Sequence, residues 1–117
     1  MTAVNTADTD FPLLNLRRVA GNIGAEIRDI RLSADLDADT FAQLDAALVK
    51  YKVLFFRQQA HLTDAEHQAF GARFGKIVAH PTVPAPEGTK LFELDASKGG
   101  GRADSWHTDV TFVDAFP

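Results

Sequence analysis

The chain has 117 residues, 45% of them hydrophobic, and 12 Lys and Arg against 16 Asp and Glu give a net charge of −4. That length holds one small domain or part of a larger one, and its scattered charges exclude the basic footprint of a nucleic-acid binder. With no cysteine there is no disulfide and no thiolate metal site, so any metal must be held by nitrogen and oxygen. The opening MTAVNTADTDFP lacks the positive and apolar regions of a secretory signal, and no apolar run approaches membrane-spanning length. A cytoplasmic protein with no membrane partner is expected.

The small polar residues at the start predict a disordered N-terminus over 1–12, with the domain running from 13 to 117. Residues 13–32 alternate in pieces, Leu14 with Leu16 and then Ile23, Ala25 and Ile27, a strand pattern broken by Gly21 and Gly24. From Asp37 the period changes. Phe41, Leu44 and Leu48 recur at three- and four-residue spacing, with Asp37 or Asp39 available as N-cap, which predicts an amphipathic helix. VLFF over 53–56 is a short continuous apolar run and reads as a strand buried on both faces. Thr63 and Glu66 have capping-box spacing at the head of a second helix, with Phe70 and Phe74 inward and Gly75 placed to end it.

Beyond Gly75 the pattern becomes irregular. AHPTVPAPEG carries three of the five prolines and reads as an ordered loop or sheet edge. LFELD over 91–95 alternates as a strand, the glycine-rich SKGGGRADS reads as a loop, and WHTDVTF over 106–112 reads as a closing strand. The triple glycine is followed by neither GK[ST] nor a helix start, so it is not a phosphate cradle.

In a strand, residues i and i+2 share a face, so His107 and Asp109 project together while Thr108 and Val110 face the other way. An imidazole and a carboxylate side by side are two legs of a facial triad, which leaves half the coordination sphere of an Fe(II) ion open for a cosubstrate and oxygen. H-x-D is nevertheless a short motif that arises by chance. On residues alone, a zinc-type hydrolase and a non-catalytic anion-binding module stay open beside an iron oxygenase. His61 and His67 flank a helix start with no acidic partner two residues on and read as surface residues. Trp106 and Phe112 read as core or rim packing, and Asp104 and Asp114 as solvated.

The wider context adds a resemblance. WHTDVTF preceded by a strand and a loop and followed by AFP, with IGAEIRDIRL, KVLFFRQQ and FGKIVAHP upstream, resembles the taurine dioxygenase-like family of Fe(II)- and 2-oxoglutarate-dependent oxygenases. The likeness covers nearly all of the chain from Val19. VAGNIGAEIR, AHPTVP and SWHTDVTF are especially similar to the bacterial alkylsulfatase branch. The resemblance implies an α+β fold, the N-terminal portion of a double-stranded β-helix (jelly roll) with flanking helices. It implies His107 and Asp109 as metal ligands, His80 as the residue holding the sulfate or sulfonate group, and Val110 as a substrate-pocket residue. Since the strand pattern puts Val110 on the face away from the ligands, either the strand twists or bulges there or the contact is through the Val110 backbone. The implied cofactors are Fe(II), 2-oxoglutarate and O2, and the implied partner is a small organosulfur anion, with homo-oligomerisation at full length.

Two departures bear on substrate. Val83 stands where taurine enzymes carry a tyrosine, and Ala103 where they carry an asparagine. Losing these hydrogen-bonding groups demotes taurine and promotes an alkyl sulfate or sulfonate, because polar sites discriminate strongly against apolar groups and the reverse. The reaction implied is hydroxylation of the carbon beside the sulfur-containing group, releasing sulfate or sulfite and an aldehyde. The third metal ligand and the residues gripping 2-oxoglutarate are implied beyond Pro117, so no cofactor-binding residue, and no catalytic residue besides the metal ligands, is expected within the chain. An incomplete fragment, inactive by itself, is the corresponding expectation.

Overall fold

The computed structural model describes residues 8–99 and 104–114. The chain falls into two compact units, Met1–Leu62 and Thr63–Pro117.

In the first unit, β1 (Asn15–Arg18) and β2 (Ala25–Arg28) form an antiparallel pair with Leu16 opposite Ile27 and Arg17 opposite Glu26. Gly24 adopts φ +90°, and its carbonyl accepts from the Val19 N–H at 3.0 Å. A side chain at Gly24 is disfavoured by that left-handed backbone. The strand β3 (Leu54–Phe56) then pairs with β2 in parallel. Parallel neighbours need a crossover, and α1 (Ala38–Tyr51) supplies it. Asp37 caps α1, its carboxylate accepting from the Thr40 N–H at 2.8 Å.

Strand alternation sends Leu16, Ala25 and Ile27 to one face, where they form a core with Leu44, Ala47 and Tyr51 of α1 and with Phe11 and Leu14. The helical stripe is therefore centred on Leu44, Ala47 and Tyr51. Phe41 and Leu48, expected to lead it, lie half-buried along its margins. The prediction that residues 53–56 are buried on both faces does not hold. β3 is at the sheet edge, and only Leu54 and Phe56 pack against the core, while Val53 and Phe55 are 43% and 42% exposed. Alternation along the strand turns Leu54 and Phe56 to the core face and Val53 and Phe55 away from it.

The disordered N-terminus expected through residue 12 also needs correction. Residues 1–7 lie outside the described residues, but Phe11 is a core residue. The segment is strapped to the end of α1. Lys50 Nζ donates to Asp8 Oδ2 at 2.6 Å and to Asp10 Oδ2 at 2.7 Å, and the Tyr51 hydroxyl donates to Asp8. Lys50 also lies 5.5 Å from the Phe11 ring centre and 5.4 Å from that of Tyr51. Burial works to raise the Asp8 pKa, but the hydrogen bonds from Lys50, Tyr51 and the Asp10 backbone, with the lysine charge, outweigh it and lower the value to about 2.

In the second unit, α2 (Asp64–Gly71) opens on the predicted capping box. The Glu66 N–H donates to Thr63 Oγ1 at 3.3 Å, and the Thr63 N–H donates to Glu66 Oε2 at 2.8 Å. The α-helix stops at Gly71 rather than running to Gly75, because the next N–H groups tighten to i−3 carbonyls, Arg73 to Phe70 and Phe74 to Gly71. Phe70 is buried, whereas Phe74 is 42% exposed and meets the Phe70 ring edge-on at 5.4 Å. The strands expected over 91–95 and 106–112 are not formed. Apolar alternation makes a strand only where a ladder satisfies the backbone, and among the described residues the only strands pairing in a sheet are β1, β2 and β3. Instead, Asp95 caps a short 3₁₀ turn, Ala96–Lys98, and the Val113 N–H reaches the Val110 carbonyl at 3.4 Å. The described architecture is thus a small α+β arrangement of one three-stranded sheet and two helices. No helix among the described residues is long and apolar enough to cross a membrane.

Two consequences are measurable. Leu44→Ala empties a fully buried site and should lower unfolding stability by about 3 kcal/mol in urea titrations. Asp8 titrates at about 2 in the folded chain against an ordinary 3.8, so the unfolded state binds the extra proton between those values. The strap's contribution is therefore complete above about pH 4 and is lost as pH falls toward about 2. Asp8→Asn should remove that part of the acid dependence, giving a smaller drop in urea midpoint than the native chain between about pH 5 and about pH 2.5.

Candidate metal centre

His107 and Asp109 come together without a strand. The His107 Nε2 atom lies 3.1 Å from Asp109 Oδ1, with the two side chains 53% and 85% exposed. On its other side the imidazole Nδ1 meets the Ser105 carbonyl at 2.8 Å. A carbonyl only accepts, so Nδ1 carries a hydrogen, and in the neutral ring the Nε2 lone pair is left facing the carboxylate. Two acceptors at that distance are held together only by a proton or a cation between them. The His107 pKa is accordingly raised, first by the hydrogen bond to the Ser105 backbone and then by the negative charge of Asp109.

The same geometry fits a divalent ion. A backbone carbonyl holding the distal N–H is the outer-shell contact that orients a metal-binding histidine. Two donors about 2.1 Å from one ion and at roughly right angles are separated by about 3 Å, close to the 3.1 Å bite of this pair. One neutral nitrogen and one anionic oxygen also suit Fe(II) as a donor set. Among the described residues no third His, Cys, Asp or Glu joins them.

Val110, expected on the opposite strand face, instead takes φ +46°. A β-branched residue pays for that left-handed backbone, and the conformation turns the chain immediately after Asp109. There is no strand here to twist or bulge, since residues 106–112 form none.

His80 makes its contacts elsewhere. Its Nδ1 accepts from the Val83 N–H at 3.1 Å and the Thr82 N–H at 3.3 Å, and its ring stacks on Phe92 with centres 5.0 Å apart and planes 27° apart. An Nδ1 that accepts two backbone hydrogens leaves the ring hydrogen on Nε2, which is then a donor. Val83 contributes its backbone N–H here, and Ala103 lies outside the described residues.

The remaining candidates separate cleanly. His61 is half-buried, its Nε2 at 2.9 Å from the Leu32 carbonyl. His67 is exposed on α2, and Asp104 and Asp114 are exposed as expected. Trp106 and Phe112 are not packed but fully exposed and 74% exposed. Sequence reasoning missed Ser105 and Phe92, since a backbone carbonyl and a ring stack leave no residue-type signature.

The chain matches the family model described as Taurine catabolism dioxygenase TauD, TfdA family over residues 15–117. It belongs to that family. An alkylsulfatase of Acinetobacter baylyi is 57% identical over 105 residues, covering 89% of this chain and 33% of its own length. An alpha-ketoglutarate-dependent sulfate ester dioxygenase of Pseudomonas putida is 55% identical over 105 residues, covering 89% of this chain and 35% of its own length. The chain thus spans about one third of the length of these curated relatives. A crystal structure of a taurine dioxygenase from Burkholderia xenovorans matches with a TM-score of 0.59 at 36% identity, over 66% of this chain and 28% of that one.

Within this taurine dioxygenase family member, Asp109→Asn should lower the His107 pKa toward the ordinary imidazole value while leaving it above that value, because the Ser105 bond remains. An NMR titration of the ring signals checks this. An unchanged midpoint would mean that the carboxylate does not face the ring.

Proposed function

We propose that this chain is part of an Fe(II)- and 2-oxoglutarate-dependent dioxygenase that hydroxylates the carbon bearing the sulfur-containing group of an alkyl sulfate. The observation that carries the reading is the His107–Asp109 pair, whose imidazole hydrogen is committed to Ser105 and whose free nitrogen faces the carboxylate. The relatives named for sulfate esters, 55% and 57% identical, support a sulfate ester over a sulfonate. A dioxygenase named for (S)-phenoxypropionate is only 31% identical over 111 residues.

In this reading His107 Nε2 and Asp109 hold the iron, and the carboxylate charge favours a divalent ion. The Ser105 carbonyl keeps the imidazole in the tautomer that can bind. His80 donates its Nε2–H to the anionic group of the substrate, a charge-assisted bond that fixes one end of the molecule. The turn at Val110 places an apolar residue directly after the ligand, suited to the alkyl part. When bound, Fe(II) with 2-oxoglutarate and O2 supplies the oxidising power for C–H hydroxylation. The product R–CH(OH)–OSO3⁻ loses its C–O bond to sulfate, leaving an aldehyde, sulfate and a proton.

The same reading makes residues 13–117 the first part of a double-stranded β-helix domain, whose further strands would pair with segments such as 106–112. The one-third coverage of the curated relatives supports only the reading of the chain as part of something longer. A cytoplasmic homo-oligomer acting on a small organosulfur anion is the corresponding whole protein.

With a medium-chain alkyl sulfate, the whole protein that contains this chain should release sulfate and succinate in equal amounts, with O2 consumed. His107→Ala and Asp109→Ala should each reduce turnover by at least about a hundredfold, the scale expected on losing a metal ligand or its orienting partner, and His80→Ala should chiefly raise KM. Release of sulfate without O2 or 2-oxoglutarate would instead make the enzyme a hydrolase.

A further inference from the structure

We propose that Phe92 is a positioning residue, which sets the plane of the His80 ring so that its Nε2–H is presented to a bound anionic group. The proposal rests on the reading of His80 as the anion donor.

The His80 ring is held within its own turn by Nδ1, which accepts from Val83 and Thr82 at 3.1 and 3.3 Å. These are at the long end of hydrogen-bond distances. Both act at one edge of the ring, so they leave it free to tilt about that edge. The face contact with Phe92, at 5.0 Å and 27°, removes this remaining freedom. Hydrogen bonds in the ring plane and a stack against its face are complementary restraints, and together they define the direction of Nε2–H.

Phe92 is 52% exposed, so its ring contributes little to a core. The segment bearing it is tied down two residues earlier. The Lys90 N–H donates to the Gln68 side chain of α2 at 2.8 Å, and Lys90 Nζ donates to the Ile77 carbonyl at 3.4 Å. Lys90 thus ties the segment bearing Phe92 to the segment that leads into His80. The exposed ring is a fixed surface on which the histidine rests.

The test uses the chain with isotope-labelled histidine and inorganic sulfate as probe. In the native chain the His80 nitrogen signals should show the Nε2–H tautomer, and Nε2 should shift on sulfate addition. Phe92→Ala and Phe92→Leu should move the signals toward a tautomer average and weaken sulfate binding roughly three- to tenfold, the scale of one aromatic pair. Phe92→Tyr, which keeps the stacking face, should restore both. Leu94→Ala, removing another exposed apolar side chain of the segment, should change neither.

If both the Ala and the Leu variants keep the native tautomer signature and sulfate affinity, the proposal is overturned. His80→Ala separates the two levels. If it loses sulfate while the Phe92 variants keep it, the positioning role alone falls. If it binds sulfate as tightly as the native chain, the anion-site reading fails and takes the positioning role with it.

Discussion

The parallel pairing of β2 with β3 is the constraint from which the first unit follows. Two parallel neighbours cannot be joined by a hairpin, so the chain must leave the sheet, cross over it and return. The crossing segment lies against one face, which makes α1 amphipathic. The closure is tight at the helix end, where the Gly24 N–H reaches the Tyr51 carbonyl at 2.9 Å and the Ala25 N–H reaches Val53 at 3.0 Å. Lys52 ends α1 with φ +67°, turning the chain directly into the edge strand. The acidic strap then uses the same helix end, since Lys50 and Tyr51 stand where the residues before β1 pass.

The second unit depends on a different kind of constraint, the tautomers of two histidines. At His107 a carbonyl accepts from Nδ1, and the lone pair is released on Nε2. At His80 backbone N–H groups donate to Nδ1, and the hydrogen remains on Nε2. The same side chain is thereby made a candidate ligand in one place and a candidate donor in the other. At His80 no charged neighbour is needed, whereas at His107 the Asp109 carboxylate, 3.1 Å from Nε2, calls for a proton or a cation between the two. Backbone polar groups suit this task because their direction is set by the chain and their strength does not change with pH.

Much of this was legible beforehand where the signal is local. The capping box at Thr63 and Glu66, the Asp37 cap and the helix from 38 to 51 depend on residues a few positions apart, and each formed as its pattern requires. The alternation of Leu14 with Leu16 and of Ala25 with Ile27 was legible too, and the break at Gly24 became a turn, but Ile23, grouped with them by its spacing, is 59% exposed. Pattern failed where burial depends on a neighbour distant in sequence. VLFF could be an interior or an edge strand by its composition, and it became an edge. LFELD and WHTDVTF have the alternation of strands, but among the described residues no β-ladder includes them.

For the site, the residues alone put His107 beside Asp109 by spacing, and the structure brings them together through a turn instead of a strand face. The pairing survives the change because two residues with one between them can approach in several backbone conformations. Their hydrogen-bonding state was beyond the sequence, since Ser105 acts through a carbonyl that every residue possesses. The stack of His80 on Phe92 likewise joins positions 12 apart across an irregular segment with no period to reveal it. Residue type and short spacing determined the helices, the hairpin and the candidate ligands. Only the tertiary structure decided which faces are covered, which tautomers are held and how the chain turns at Val110, because those depend on where distant backbone groups come to lie.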